Sequence, residues 1–177
     1  MDDQSVIYLF AFILYEEYGM DKEKQKDFAR RVSQANRTQL VAITYDIMLE
    51  NIKCAYNSLE NGKTEEFRAE LKSAQKFLGE LMRSLDFKYP ISVNLLRIYE
   101  YVKVILVSSE ISGENRGLDS AESVLAKLGS AFHEISSRDN SGAVMENAQQ
   151  IVAGLTYGKG TLNEADMTAG ANRGFLA

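Results

Sequence analysis

At 177 residues, 45% of them hydrophobic and 25% charged, the chain holds enough apolar material for one core without disulfide or metal staples. Its net charge of −5 excludes attraction to phosphate backbones, and with it nucleic acid as a partner. Lone Cys54 excludes an internal disulfide and suits a reducing compartment, while a single proline, Pro90, points away from loop-rich and all-β folds and towards long helices.

Residues 1–35 read as an N-terminal helical extension: an apolar helix, a break at Gly19, then a charged helix from about Asp21 to Val32. The apolar run Val6 to Tyr15 ends at Glu16 and Glu17, short of the roughly 20 residues that span a bilayer. Asp2 and Asp3 precede it where a signal peptide carries positive charge, so no membrane span is expected and the protein is expected in the cytoplasm. Val6, Ile7, Phe10, Ile13 and Leu14 go nearly all round this helix. It is therefore expected to dock on its own bundle or to pair two copies into a homodimer.

Residues 36–137 contain four segments whose apolar positions alternate by four and three, the mark of a helix with one buried seam. The seams run Val41, Tyr45, Met48, Ile52, Ala55, Leu59, then Phe67, Leu71, Ala74, Leu78, Leu81, Leu85. Leu95, Ile98, Val102 and Ile105 make the third, and Leu118, Ala121, Leu125, Leu128, Phe132 and Ile135 the fourth. Asn36 with Gln39 reads as a capping box, Asn61-Gly62 as a helix end, and Thr64 as the next cap with Glu65 and Glu66 at the positive helix end. Tyr89-Pro90 and Gly113 to Gly117 break the remaining helices. Connections this short force neighbours antiparallel, so the fold class is an all-α, up-down bundle of four long helices. Residues 138–177 turn rich in Gly, Ala, Asn and Ser and read as a flexible tail, with a short helix over Met145 to Leu155. That helix and the terminal Ala171-Asn172 with Phe175 and Leu176 suggest a tail that imitates a client and plugs its groove; a disordered extension is the alternative.

Catalytic patterns fail one by one. His133 sits beside seam residue Phe132, and Cys54 reads as a buried helix residue rather than its nucleophilic partner. No Glu-x-x-His occurs, so a di-iron bundle is excluded, and no cofactor is expected. Gly154 to Thr161 departs from a phosphate loop in glycine spacing, in the residue after Lys159 and in lacking a preceding strand. Glu65, Glu66 and Glu70 read as a solvated acidic face. The chain is not read as an enzyme.

Order and wording of the helices carry the reading further. Leu40 to Asp46 leads into a Tyr45-Asp46 pair; Ala74-Gln75, Glu80-Leu81 and Ser84-Leu85-Asp86 follow; then comes Asn94-Leu95-Leu96-Arg97-Ile98-Tyr99-Glu100-Tyr101-Val102. From Val32 to Ile135 this resembles the FliS family of flagellin export chaperones, with Tyr45, Asp46, Gln75, Leu81, Leu85, Asn94, Leu95 and Tyr101 on its motif positions and Phe132 where the family usually has tryptophan. Departures are Val104-Ile105 in place of a basic pair, Ser109-Glu110 in place of an Ala-Asn step, and a longer apolar N-terminal stretch. The resemblance implies an antiparallel bundle that binds the disordered C-terminal segment of flagellin in the cytoplasm, blocks premature polymerisation and serves the flagellar export apparatus. A helical adaptor or regulator of flagellar assembly with another client is the alternative. Grooves for such a client are expected from second apolar rows: Leu40, Ile43 and Ile47 on the first bundle helix, and Leu96, Tyr99, Val104, Val107 and Ile111 on the third. The same rows could instead contact neighbouring helices.

Overall fold

The computed structural model describes residues 20–145, and among these every regular element is an α-helix. The chain divides into a unit over Met1–Glu146 and a second over Asn147–Ala177, the latter outside the described residues. Also outside them lie the expected apolar N-terminal helix, the Gly19 break and all but the first residue of the Met145 to Leu155 helix.

Helix α1 (Lys22–Ser33) is short and charged, and it folds back along α2 (Arg37–Glu60). Phe28, Ala29 and Val32 are its buried residues, and the ion pairs Lys24–Glu50 and Arg31–Asp46 tie its outer edge to α2. The expected capping box is present: Gln39 N donates to Asn36 Oδ1 at 2.8 Å, and Asn36 N donates to Gln39 Oε1 at 2.9 Å. Helix α2 runs for 24 residues, about 36 Å. It closes on Asn61-Gly62, where Lys63 N reaches back to Ser58 O at 2.9 Å and satisfies a terminal carbonyl. Helix α3 (Thr64–Arg83) then starts one residue earlier than its expected cap. Lys63 holds the cap position with no side-chain bond, because the tight closure brings Thr64 straight into helical conformation. Helix α4 (Pro90–Ser112) has Pro90 in its first turn, where a missing N–H costs nothing. It ends at Gly113, whose left-handed φ of 70° and whose approach to Thr64 both exclude a side chain: an added Cβ would stand 3.0 Å from Thr64 Cγ2. Helix α5 (Leu118–Ser136) completes the bundle.

Residues paired across neighbours run in opposite order, so adjacent helices are antiparallel. On the α2/α5 side, Tyr56 meets Asp119, Asp46 meets His133, and Thr38 meets Asp139. Between α3 and α4, Arg68 donates to Glu110 O and Gln75 Nε2 to Glu110 Oε2, with Gly113 against Thr64 beyond them. The segment after α5 lies across the start of α2. Asn36 Nδ2 donates to Asp139 O at 3.0 Å, and Val144 N donates to Ala35 O at 3.0 Å.

The seams supply the core. Tyr45, Met48, Ile52, Phe67, Leu71, Leu78, Val102, Leu118, Ala121 and Leu125 are all fully buried. Two positions depart from the expected pattern. Ile135 is exposed because α5 reaches past its packed turns, and Glu70, expected on a solvated face, is 0% exposed beside the core residues Leu71 and Ala74.

Candidate client-binding surface

Helix α4 is apolar on two sides. Its inner side buries Tyr99, Val102, Ile105, Leu106 and Ser109. Its outer side carries Val93, Leu96, Val104, Val107 and Ile111, of which Val104 is 66% and Ile111 74% exposed. Helical rotation of about 100° per residue places these five within an arc of roughly 80°. The stripe begins beside the loop that enters α4, where Phe87, Tyr89 and Ile91 are exposed as well. Scattered surface apolar residues are ordinary, but an aligned row along one helix is what a partner's apolar face would cover.

The residues expected to line a groove separate into two groups. Leu96 and Val107 are partly exposed and Ile111 is exposed, all on the outer stripe with Val104. Leu40, Ile43, Ile47 and Tyr99 are buried among neighbouring helices, so in this conformation they pack the core and could meet a client only if the bundle opened. Ile43 does reach a cleft of about 370 Å³ between α1, α2 and α5, which Arg31, Gln34, Gln39 and His133 also line. Its charges are already engaged: Asp46 Oδ1 lies 2.7 Å from His133 Nε2, and Asp46 Oδ2 accepts from Arg31. Asp46 therefore fastens α1 and α5 to α2.

Most of the motif residues serve the scaffold. Tyr45 is fully buried, stacks on Phe132 at a centroid distance of 5.4 Å, and sits so close to α5 that a Cβ on Gly129 would stand 3.1 Å from its own Cβ. Its hydroxyl is 2.5 Å from that of Tyr99 across the core. Burial raises both phenols above the usual range; for Tyr45 the neighbouring Tyr99 raises it further, whereas the hydrogen bond to Tyr45 works in the opposite direction at Tyr99. Gln75 braces Glu110, Leu81 is buried, and Leu85 and Leu95 are half-buried. Asn94 and Tyr101 are exposed and flank the outer stripe.

Sequence reasoning missed Phe87, Tyr89, Ile91 and Val93. The signal was there: apolar residues of the third segment fall outside its own seam on a helix with few charges to form a polar face.

Nothing in this surface resembles a reaction centre. Burial pushes the Cys54 thiol up to about 11, with the Glu70 and Glu50 carboxylates adding to the shift, so it is held as an unreactive thiol. His133 is engaged with Asp46, about two turns of α2 from Cys54. Among the described residues, no three His, Cys, Asp or Glu side chains are grouped to hold a metal, and no helix is long and apolar enough to cross a membrane.

Comparison with known proteins agrees with the helix order and its motifs. The flagellar secretion chaperone FliSB of Pseudomonas aeruginosa is 26% identical over 125 residues, which cover 70% of this chain and 99% of that protein. Residues 20–140, from the start of α1 to just past α5, match the family of the flagellar protein FliS, and the chain belongs to that family.

Proposed function

We propose that this protein is a cytoplasmic export chaperone that captures the disordered C-terminal segment of flagellin on the outer stripe of α4, prevents its premature polymerisation and delivers it to the export apparatus. It needs no catalytic step and no cofactor. The carrying observation is the stripe itself, five apolar side chains aligned on one exposed helix face in a FliS-family bundle. A disordered segment cannot bury its own apolar residues, and folding it as a helix along such a row supplies the missing partner. Ordering the segment opposes binding, so affinity should rest on a few anchors near the middle of the row.

Calorimetric titration with the flagellin C-terminal segment tests this. Val104→Asp and Ile111→Asp should each weaken capture by roughly tenfold or more, since a carboxylate cannot be desolvated there without cost. Their helical circular dichroism should match the parent, because both positions are exposed. Saturable binding that neither substitution disturbs would remove α4 as the site. No heat at any ratio would remove flagellin as the client and favour an adaptor with a different one.

A further inference from the structure

The stripe that faces outward on α4 is complementary to itself. Its residues, Val93, Leu96, Val104, Val107 and Ile111, are arranged almost symmetrically about a point between Glu100 and Lys103, and both of those charged residues are exposed. Turn the helix end for end about that point and Val93 falls opposite Ile111, Leu96 opposite Val107, and Glu100 opposite Lys103. A twofold contact between identical surfaces needs this kind of arrangement, in which each residue meets a partner it can tolerate and the partner meets it in return. Here the two apolar ends meet apolar ends, and the two charges at the centre meet opposite charges twice.

We infer that two copies of this protein pair through α4, antiparallel, with Glu100 of each opposite Lys103 of the other. The stripe is roughly 27 Å long from Val93 to Ile111, at 1.5 Å of rise per residue. One helix face of that length buries less than a standard interface of about 800 Å² per partner, so the dimer is a weak, reversible one. The rim charges set the register, and the apolar row supplies the affinity. Self-pairing goes beyond the client reading and does not depend on it. If both hold, a second copy keeps the apolar row from unrelated partners until a client displaces it.

Sedimentation equilibrium of the full chain over roughly a hundredfold range of concentration tests the pairing, since only an associating system changes its mean mass with concentration. The expected result is a mass that rises from monomer towards dimer. Glu100→Lys or Lys103→Glu alone brings like charges together at both symmetric positions and should weaken the dimer roughly tenfold. Both changes together recreate the opposite-charge pairs with the signs exchanged and should restore the parent affinity, while Val104→Asp should leave a monomer. All four positions are exposed, so unchanged circular dichroism is expected throughout. A monomer at every concentration, as would follow if another part of the chain covered the stripe, overturns the inference. So does a dimer unaffected by the single changes, or a double variant no tighter than the singles. Flagellin capture is read separately by calorimetry, so failure of either proposal leaves the other's result legible.

Discussion

Replace Tyr45 by phenylalanine and one of two facing hydroxyls disappears from a site where the other has almost no access to water. Tyr45 is 0% and Tyr99 2% exposed, and their oxygens lie 2.5 Å apart. The remaining hydroxyl keeps its desolvation cost and loses its partner, so either single change should cost about 1–3 kcal/mol. Removing both leaves no buried polar group there, and Tyr45→Phe/Tyr99→Phe together should cost less than about 1 kcal/mol. The aromatic rings, with the Phe132 stack, stay in place. Urea denaturation of all four proteins closes the double-mutant cycle. With a slope of about 1–3 kcal/mol per molar for a domain of this size, each single should lower the midpoint by roughly 1 M and the double should recover most of that. Additive losses would show that the hydroxyls are satisfied independently and would refute the assignment of a coupled pair linking α2 to α4.

Gly129→Val should destabilise by about 2–4 kcal/mol, read as a lower melting temperature, because the first added carbon already stands 3.1 Å from the Tyr45 side chain. Asp46→Ala removes the carboxylate shared by Arg31 and His133. The site is partly exposed, so the cost in global stability should be modest, about 1 kcal/mol, but amide exchange in α1 should accelerate well beyond that of α3. The Cys54 thiol, raised to about 11 by burial, should react with iodoacetamide at pH 8 at least about tenfold more slowly than an unfolded cysteine. As pH climbs from about 9 to about 11 the unfolded thiol ionises before the folded one, so this group's contribution to stability should be present below that window and lost across it, visible as a falling urea midpoint.

The scaffold was legible in the sequence because its physics is local. A four-three apolar alternation, an Asn36–Gln39 capping box and a lone proline at a helix start each report on residues a few positions away, and each appears in the fold as expected. Lateral packing was less legible. Leu40, Ile43 and Ile47 look like a spare apolar row when α2 is considered alone, but α2 has neighbours on several sides and all three are buried. Helix α4 has the opposite character: its seam and its second row are equally apolar in sequence, and only the placement of its neighbours leaves Val104 and Ile111 outside while Tyr99 turns in to meet Tyr45. Glu70 was misread for the same reason. A glutamate near two others at a helix start suggests a solvated face, yet its position one turn after Phe67 points it into the core. The Asp46 fastening to Arg31 and His133 joins residues 15 and 87 positions apart, beyond the reach of any periodicity.

Hydrogen exchange of the full chain, with and without the C-terminal segment of flagellin, tests the central claim most directly. A client lying along the outer stripe should slow exchange in α4 from Val93 to Ile111 and in the adjoining Phe87 to Ile91 turn, leaving α3 nearly unchanged. Protection confined to the cleft between α1, α2 and α5, with α4 unaffected, would contradict the account and place the client on the opposite side of α2.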